Sequence, residues 1–199
     1  MCKHQFLLIA IILLNSLNSH GQKLDKLLNV NYKAGMVILN SGDTLRGSFE
    51  FNDCKENYQL LVYINPLSNE KSAFEPKQVY CYMIDSLLFF PKELREGWEF
   101  VRLIYYDNLK IFLRKRFFTS NVSSGTENQI MYEKPNGKYI LVSFDNFYPF
   151  KIKVGDFFDD DIDLASKIRD NTYTKKDILK IAVEYNDWFK QNKTKSVYK

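Results

Sequence analysis

A strict alternation of apolar and polar residues marks residues 44–51, where every second position is apolar or glycine, Gly47 among them. In a pleated strand such a period of two places the apolar set on one face, which is typical of a half-buried strand. A turn-forming sequence precedes it, in which Gly42 can adopt the left-handed conformation and Asp43 can hydrogen-bond the turn backbone. With the apolar run before the turn, the pattern predicts a β-hairpin over residues 35–51.

Two further hairpins are predicted downstream. Residues 99–106 and 110–118 flank Asp107-Asn108, a pair suited to a tight turn. Residues 129–134 and 138–144 flank a turn that contains Asn136 and Gly137, and Asn-Gly is the strongest short-range hairpin signal. Other strands are predicted at 59–64, 78–84 and 86–90, the last closed by Pro91, whereas 68–77 and 119–128 have loop composition.

The period changes to that of a helix after residue 156. Apolar residues recur at helical spacing in 162–168, and again in 178–189 after Thr174-Lys175-Lys176-Asp177, which resembles a capping box. Strands first and helices last predict an α+β fold: an antiparallel, partly curled sheet of about seven or eight short strands with two C-terminal amphipathic helices. We expect one domain over residues 23–199, β-rich in 35–152 and helical in 157–192.

Residues 1–22 have the layout of a secretory signal peptide. A short basic start that contains Lys3 is followed by nine uninterrupted apolar residues, 6–14, and then by small and polar ones up to Gly21. That apolar block is too short for a membrane-spanning helix. We expect cleavage near Gly21 or Gln22 and export to the periplasm or the extracellular space. Cys2 precedes the apolar block, which argues against a lipid anchor.

The composition of the exported chain excludes several classes of chemistry. Both histidines, His4 and His20, lie in the predicted leader, which removes histidine-based acid–base catalysis and histidine zinc sites. Two cysteines remain, Cys54 and Cys81, and an oxidising compartment would allow them to pair; the sequence leaves that pairing open. The formal net charge of +4 falls to about +3 without Lys3, a mild excess that does not favour nucleic acid.

Charged clusters provide the remaining chemical candidates. Asp159, Asp161 and Asp163 are weak candidates for a Ca²⁺ site, although acidic residues at the start of a helix are explained by its dipole. The run from Arg114 to Arg116 is interpreted as charge that protects an exposed strand edge, because alternation splits it between two faces. Four carboxylates were considered for a hydrolytic pair, and no spacing singles out two of them: Glu50, Asp85, Glu99 and Asp107.

The opening hairpin, with its Gly-Asp-Thr-Leu-x-Gly sequence at 42–47, resembles the start of a broad group of uncharacterised exported proteins of Bacteroidota-type bacteria. Those proteins share an aromatic-rich strand region and a terminal helix that contains the pair Tyr-Asn. In this chain that pair is Tyr185-Asn186. The resemblance implies an envelope or secreted location and brings no catalytic residues with it.

Together these observations predict a non-catalytic, exported binding or structural module of the bacterial cell envelope. An envelope protein or a glycan is the expected partner; no cofactor, nucleic acid or membrane span is expected, and the oligomeric state is left open. The alternative is a small hydrolase that uses carboxylates and would need two of them close together in a concave pocket. A Ca²⁺-stabilised module is a third hypothesis.

Overall fold

The computed structural model describes residues 31–51, 58–119, 124–143 and 150–197, so the predicted leader and Cys54 lie outside the described residues. The described residues form ten strands with antiparallel pairing and three helices, which confirms the α+β fold class. The strands are β1 Tyr32–Leu39, β2 Thr44–Glu50, β3 Leu61–Ile64, β4 Lys71–Phe74, β5 Val79–Ile84, β6 Leu87–Leu94, β7 Gly97–Tyr105, β8 Lys110–Thr119, β9 Ser124–Glu133 and β10 Tyr139–Ser143. The helices are α1 Phe150–Phe157, α2 Ile162–Arg169 and α3 Ile178–Val197. The chain divides into two compact units, residues 1–86 and 87–199.

The first unit contains β1 to β5 in the order β5-β1-β2-β3-β4. The predicted opening hairpin is confirmed, since β1 and β2 pair in register with Gly35 opposite Gly47. Phe49, on the apolar face predicted for β2, is fully buried, and its ring lies 5.4 Å from that of Tyr63. A Cβ atom at Gly35 would come within 2.3 Å of the Met83 carbonyl, so only glycine allows β1 and β5 to pair this closely.

The second unit contains β6 to β10, and each strand pairs with the one that follows it. These strands curl strongly. The Tyr139 hydroxyl of β10 lies 3.4 Å from the Glu93 carbonyl of β6, and Lys92 of β6 forms an ion pair with Glu133 of β9. The inner face of the curl encloses a small apolar cluster formed by Leu94, Val101, Phe112 and Met131.

The three helices cover the opposite face of β8, β9 and β10. The main core of the second unit lies there, where strand residues such as Ile111 and Tyr132 pack with helix residues such as Leu164, Ile181 and Tyr185. Phe158 contacts both layers, with its ring 5.7 Å from Tyr132 and 5.0 Å from Tyr185. The apolar faces predicted for the two C-terminal helices are therefore buried against the sheet, as the sequence indicates.

Four features differ from the sequence-based expectation. β4 lies in the stretch expected to be a loop, β6 continues through Pro91 to Leu94, and β9 begins at Ser124. Helix α1 has no counterpart in the prediction. Its sequence, Phe-Lys-Ile-Lys-Val, alternates like a strand, and the helix is fixed by packing of Val154 and Phe157 in the core.

Candidate functional site

A group of charged side chains around Arg114, which we call the Arg114 cluster, lies on the inner face of the second unit. Arg114 of β8 is 3% exposed. Its Nε and one terminal nitrogen donate to the two oxygens of Glu99, at 2.9 and 2.8 Å, and its other terminal nitrogen donates to Gln129 at 3.0 Å. Glu96 also accepts from Arg114. Glu127 and Arg116 complete the cluster.

Every charged side chain of the Arg114 cluster has a partner within the cluster. Gln129 donates to Glu127 at 3.1 Å, and Arg116 lies 3.7 Å from Glu127 and 3.4 Å from Glu96. The hydrogen bond from Arg114 lowers the pKa of Glu96, which keeps that carboxyl ionised. A forked contact of this kind is among the strongest that a guanidinium makes with a carboxylate. The geometry therefore favours a role in joining β7, β8 and β9.

A second buried cation, Lys134, lies just after β9 at the C-terminal end of α1. It is 6% exposed, and its Nζ donates to the Phe157 carbonyl at 2.5 Å and to Asp160 at 2.6 Å. The same ammonium group lies 4.6 Å from the ring centre of Phe157 and 5.3 Å from that of Tyr185. Lys134 thus caps α1, because a cation stabilises the carbonyl end of a helix.

The turn between β7 and β8 presents an exposed aromatic ring on a fixed support. Tyr106 is 64% exposed, and Lys110 Nζ lies 5.7 Å from its ring centre. The buried Asn186 of α3 accepts from the Leu109 backbone N–H at 2.7 Å, and Lys190 of α3 binds Asp107 at 2.6 Å. Both contacts hold the turn against α3. Sequence reasoning missed this arrangement, although the Tyr-Asn pair of the terminal helix had been singled out.

An open groove runs along the outer side of α3, with a volume of about 480 Å³. We call it the α3 groove. Leu179 and Val183 form its apolar part and are 52% and 46% exposed. The lining residues are Tyr173, Leu179, Lys180, Val183, Glu184 and Asp187.

The residues predicted to shape the first hairpin all have structural contacts. Gly42 has a φ of +94°, as the turn requires, and Asp43 accepts from the Ser41 hydroxyl at 2.7 Å. Gly47 is needed for space, since a Cβ atom there would lie 2.6 Å from both the Ile64 carbonyl and the Tyr63 ring. Nothing in the geometry of this motif requires a ligand to explain it.

The Asn-Gly turn of the last hairpin has the expected form. The Asn136 side chain accepts from the Lys138 backbone N–H at 3.0 Å, and Gly137 has a φ of +82°. Gly137 N–H donates to the Lys134 carbonyl at 2.9 Å, which closes the turn. The turn thereby fixes the end of β9 from which Lys134 reaches α1.

The three aspartates considered for Ca²⁺ have separate tasks in the structure. Asp159 pairs with Arg169, Asp161 accepts from the Leu164 N–H at 3.2 Å as the N-cap of α2, and Asp163 lies in the first turn of α2. Within the described ranges, no group of three His, Cys, Asp or Glu side chains is arranged to hold a metal ion. The contact of Asp161 is the capping interaction that the acidic helix start suggests.

Cys81 is buried in β5, and burial raises the pKa of its thiol to about 11. A thiol of this kind is a poor nucleophile at neutral pH because little of it is ionised. Since Cys54 lies outside the described residues, a bridge between these two cysteines stays a prediction.

Three of the four carboxylates considered for hydrolysis form ion pairs with basic side chains. Asp85 pairs with Lys33, Glu99 with Arg114, and Asp107 with Lys190. The interpretation of the 114–116 run as an exposed edge is wrong, because β8 pairs with β7 on one side and β9 on the other. The run is divided between the two faces of β8, as expected, and Arg114 and Arg116 lie on the inner face in the Arg114 cluster.

None of the helices in the described ranges carries an apolar stretch long enough to cross a bilayer. No protein-family model, curated protein or solved structure matches the chain. The function must therefore be argued from the molecule's own geometry.

Proposed function

We propose that the protein is an exported, non-catalytic module of the cell envelope that binds an envelope protein or a glycan. The observation that carries this proposal is the exposed ring of Tyr106 on a turn held by Asn186 and Lys190. A tyrosine ring offers a large contact area that is apolar in the middle and polar at its hydroxyl. A ring on a rigid support loses little further freedom when a partner binds, so more of the contact energy appears as affinity.

The charged side chains support a binding role over a catalytic one. Both carboxylate oxygens of Glu99 accept hydrogen bonds from Arg114, and the Lys134 ammonium donates to the Phe157 carbonyl and to Asp160. A general acid or nucleophile needs a group that can exchange protons or bonds with substrate, and these groups are committed to the fold. The charged groups that remain accessible lie on the surface, where they are available for non-covalent contacts with a binding partner.

Binding to isolated envelope material tests the proposal. The purified protein is incubated with insoluble envelope glycan and, separately, with immobilised envelope proteins, and the retained fraction is titrated. We expect Tyr106→Ala to weaken retention by about tenfold, which corresponds to about 1.4 kcal/mol. Tyr80→Ala is the matched control, since Tyr80 is also highly exposed, at 56%, and lies in the first unit.

Two results would contradict the proposal. One is equal retention of the wild-type protein and the Tyr106→Ala variant on every material that binds the folded chain. The other is catalytic turnover of an envelope glycan by the wild-type chain, which would favour the carboxylate-dependent hydrolase instead.

A further inference from the structure

The outer ridge of α3 combines apolar residues with charges of both signs. Leu179 and Val183 are four residues apart, and therefore adjacent on one face of the helix. Lys180 precedes Val183 by three positions and Asp187 follows it by four, so the two charges flank Val183 along the same ridge. Tyr173 forms the side wall of the groove that this ridge borders.

The charges of this ridge differ in how far the fold satisfies them. Glu184 is bound by Lys167 at 2.7 Å and by the Tyr173 hydroxyl at 2.6 Å. Asp187, in contrast, forms no salt bridge within the described part of the chain. Lys180 reaches Asp177 of the preceding turn at 2.9 Å with a side chain that remains 72% exposed. The ridge thus presents to a partner one exposed positive group, which also contacts Asp177, and one exposed negative group near Lys190.

The spacing of these groups is self-complementary. If two α3 helices pack antiparallel about a two-fold axis near Val183, Lys180 of each copy lies opposite Asp187 of the other, and the two Val183 side chains meet at the centre. A two-fold interface uses the same patch on both copies, so a patch must carry its own complement. A parallel arrangement would bring like charges together, which is unfavourable.

We infer that a second copy of this chain docks in the α3 groove, forming a homodimer through antiparallel α3–α3 contact. The contact area of two short helical ridges is small, so the dimer belongs with weak interfaces. This inference does not depend on the proposed envelope partner, because self-association of the purified chain requires no second component.

Sedimentation velocity of the purified protein tests the inference, over a range from about 1 µM to about 500 µM, the range in which a small interface associates. We expect a concentration-dependent dimer. Reversing either charge alone, Lys180→Asp or Asp187→Lys, creates like-charge contacts at two places and should weaken dimerisation by about tenfold. The double variant Lys180→Asp/Asp187→Lys restores opposite charges and should return the dimer dissociation constant to within about threefold of the wild-type value.

A matched apolar control separates this interface from general surface effects. Val183→Glu should abolish the dimer, whereas Ile152→Glu, at a side chain of α1 that is equally exposed at 46%, should leave it unchanged. Circular dichroism confirms that each variant is folded. A folded wild-type protein that stays monomeric at the highest concentration would overturn the inference. It would also be overturned if Val183→Glu left the dimer dissociation constant unchanged, or if the double charge reversal did not restore it.

Discussion

Arg114 joins three strands on the inner face of the second unit through Glu99 and Gln129. Its side chain is 4% exposed, that of Glu99 is 11% exposed, and the two share a forked contact. A buried ion pair adds little compared with an apolar pair, but removal of one partner leaves the other charge buried and unpaired. The cost of losing Arg114 should therefore greatly exceed that of losing a surface arginine.

Arg114→Met keeps the length of the side chain and removes its charge, and we expect it to lower the free energy of unfolding by about 3 kcal/mol. Arg116→Met is the matched control from the same strand face; its side chain is 40% exposed, and we expect a loss below about 1 kcal/mol. Urea unfolding followed by fluorescence measures both. Equal losses in the two variants would contradict the larger role assigned to the buried Arg114 within its cluster.

At the residue scale, sequence alone predicts the local roles and misses the distant ones. Gly42 and Asn136 are predictable because the conformation of a tight turn is decided by neighbouring residues. The burial of Arg114 is not predictable in this way, because its partners Glu99 and Gln129 come from two other strands. Their positions depend on strand register, which a single strand's alternation does not specify.

At the scale of the helices, the cap of α2 has a measurable dependence on pH. Asp161 is 3% exposed, and burial raises its pKa even though the Leu164 N–H opposes that shift. The protonated form is therefore favoured in the folded state. The resulting contribution to stability is fully present below the pKa of the unfolded chain, about 3.9, and is lost as the pH rises through the raised pKa of the folded state.

Asp161→Asn removes the charge and keeps a side chain that is an equally good N-cap. We expect a higher free energy of unfolding than wild type at pH 7 and no difference well below the unfolded pKa of about 3.9, where Asp161 is protonated in both states. Asp163→Asn is the control: it removes a charge that the helix dipole stabilises in the first turn, and it relieves only the lesser repulsion that Asp163 exerts on Asp161. Urea unfolding at neutral and at acidic pH measures the free energy of unfolding of each variant. An Asp161→Asn variant that is less stable than wild type at pH 7 would contradict the raised pKa of Asp161.

Strands and helices were predictable from the sequence where residues close in the sequence determine where they begin or end. The three hairpins follow from their turns. α3 begins directly after the predicted 174–177 segment, in which the Asp177 side chain accepts from Thr174 N–H at 3.1 Å. β4 carries no alternation and is defined by its pairing with β3. α1 has a strand-like pattern and owes its form to the core, so both required tertiary contacts to be recognised.

At the scale of the whole molecule, the buried cations Arg114 and Lys134 bind groups of the fold's own strands and helices. Tyr106 and the α3 groove are the two surfaces to which we assign binding. The support of Tyr106 joins the β7–β8 turn to α3, and these residues are distant in the sequence. The α3 groove is formed by residues 173–187 alone, but which side of α3 stays exposed depends on how the helix packs on the sheet. The function was therefore less predictable from the sequence than the fold class.

The proposed role in the envelope depends first on export, because a protein retained in the cytoplasm would not meet the partner. The leader predicted at residues 1–22 supplies the expectation. The most direct measurement is the intact mass of a C-terminally tagged chain recovered from the cytoplasmic, periplasmic and extracellular fractions of a bacterial host. We predict a chain that begins near Gln22 in the periplasmic or extracellular fraction; a chain that still begins at Met1 and stays in the cytoplasm would contradict the account.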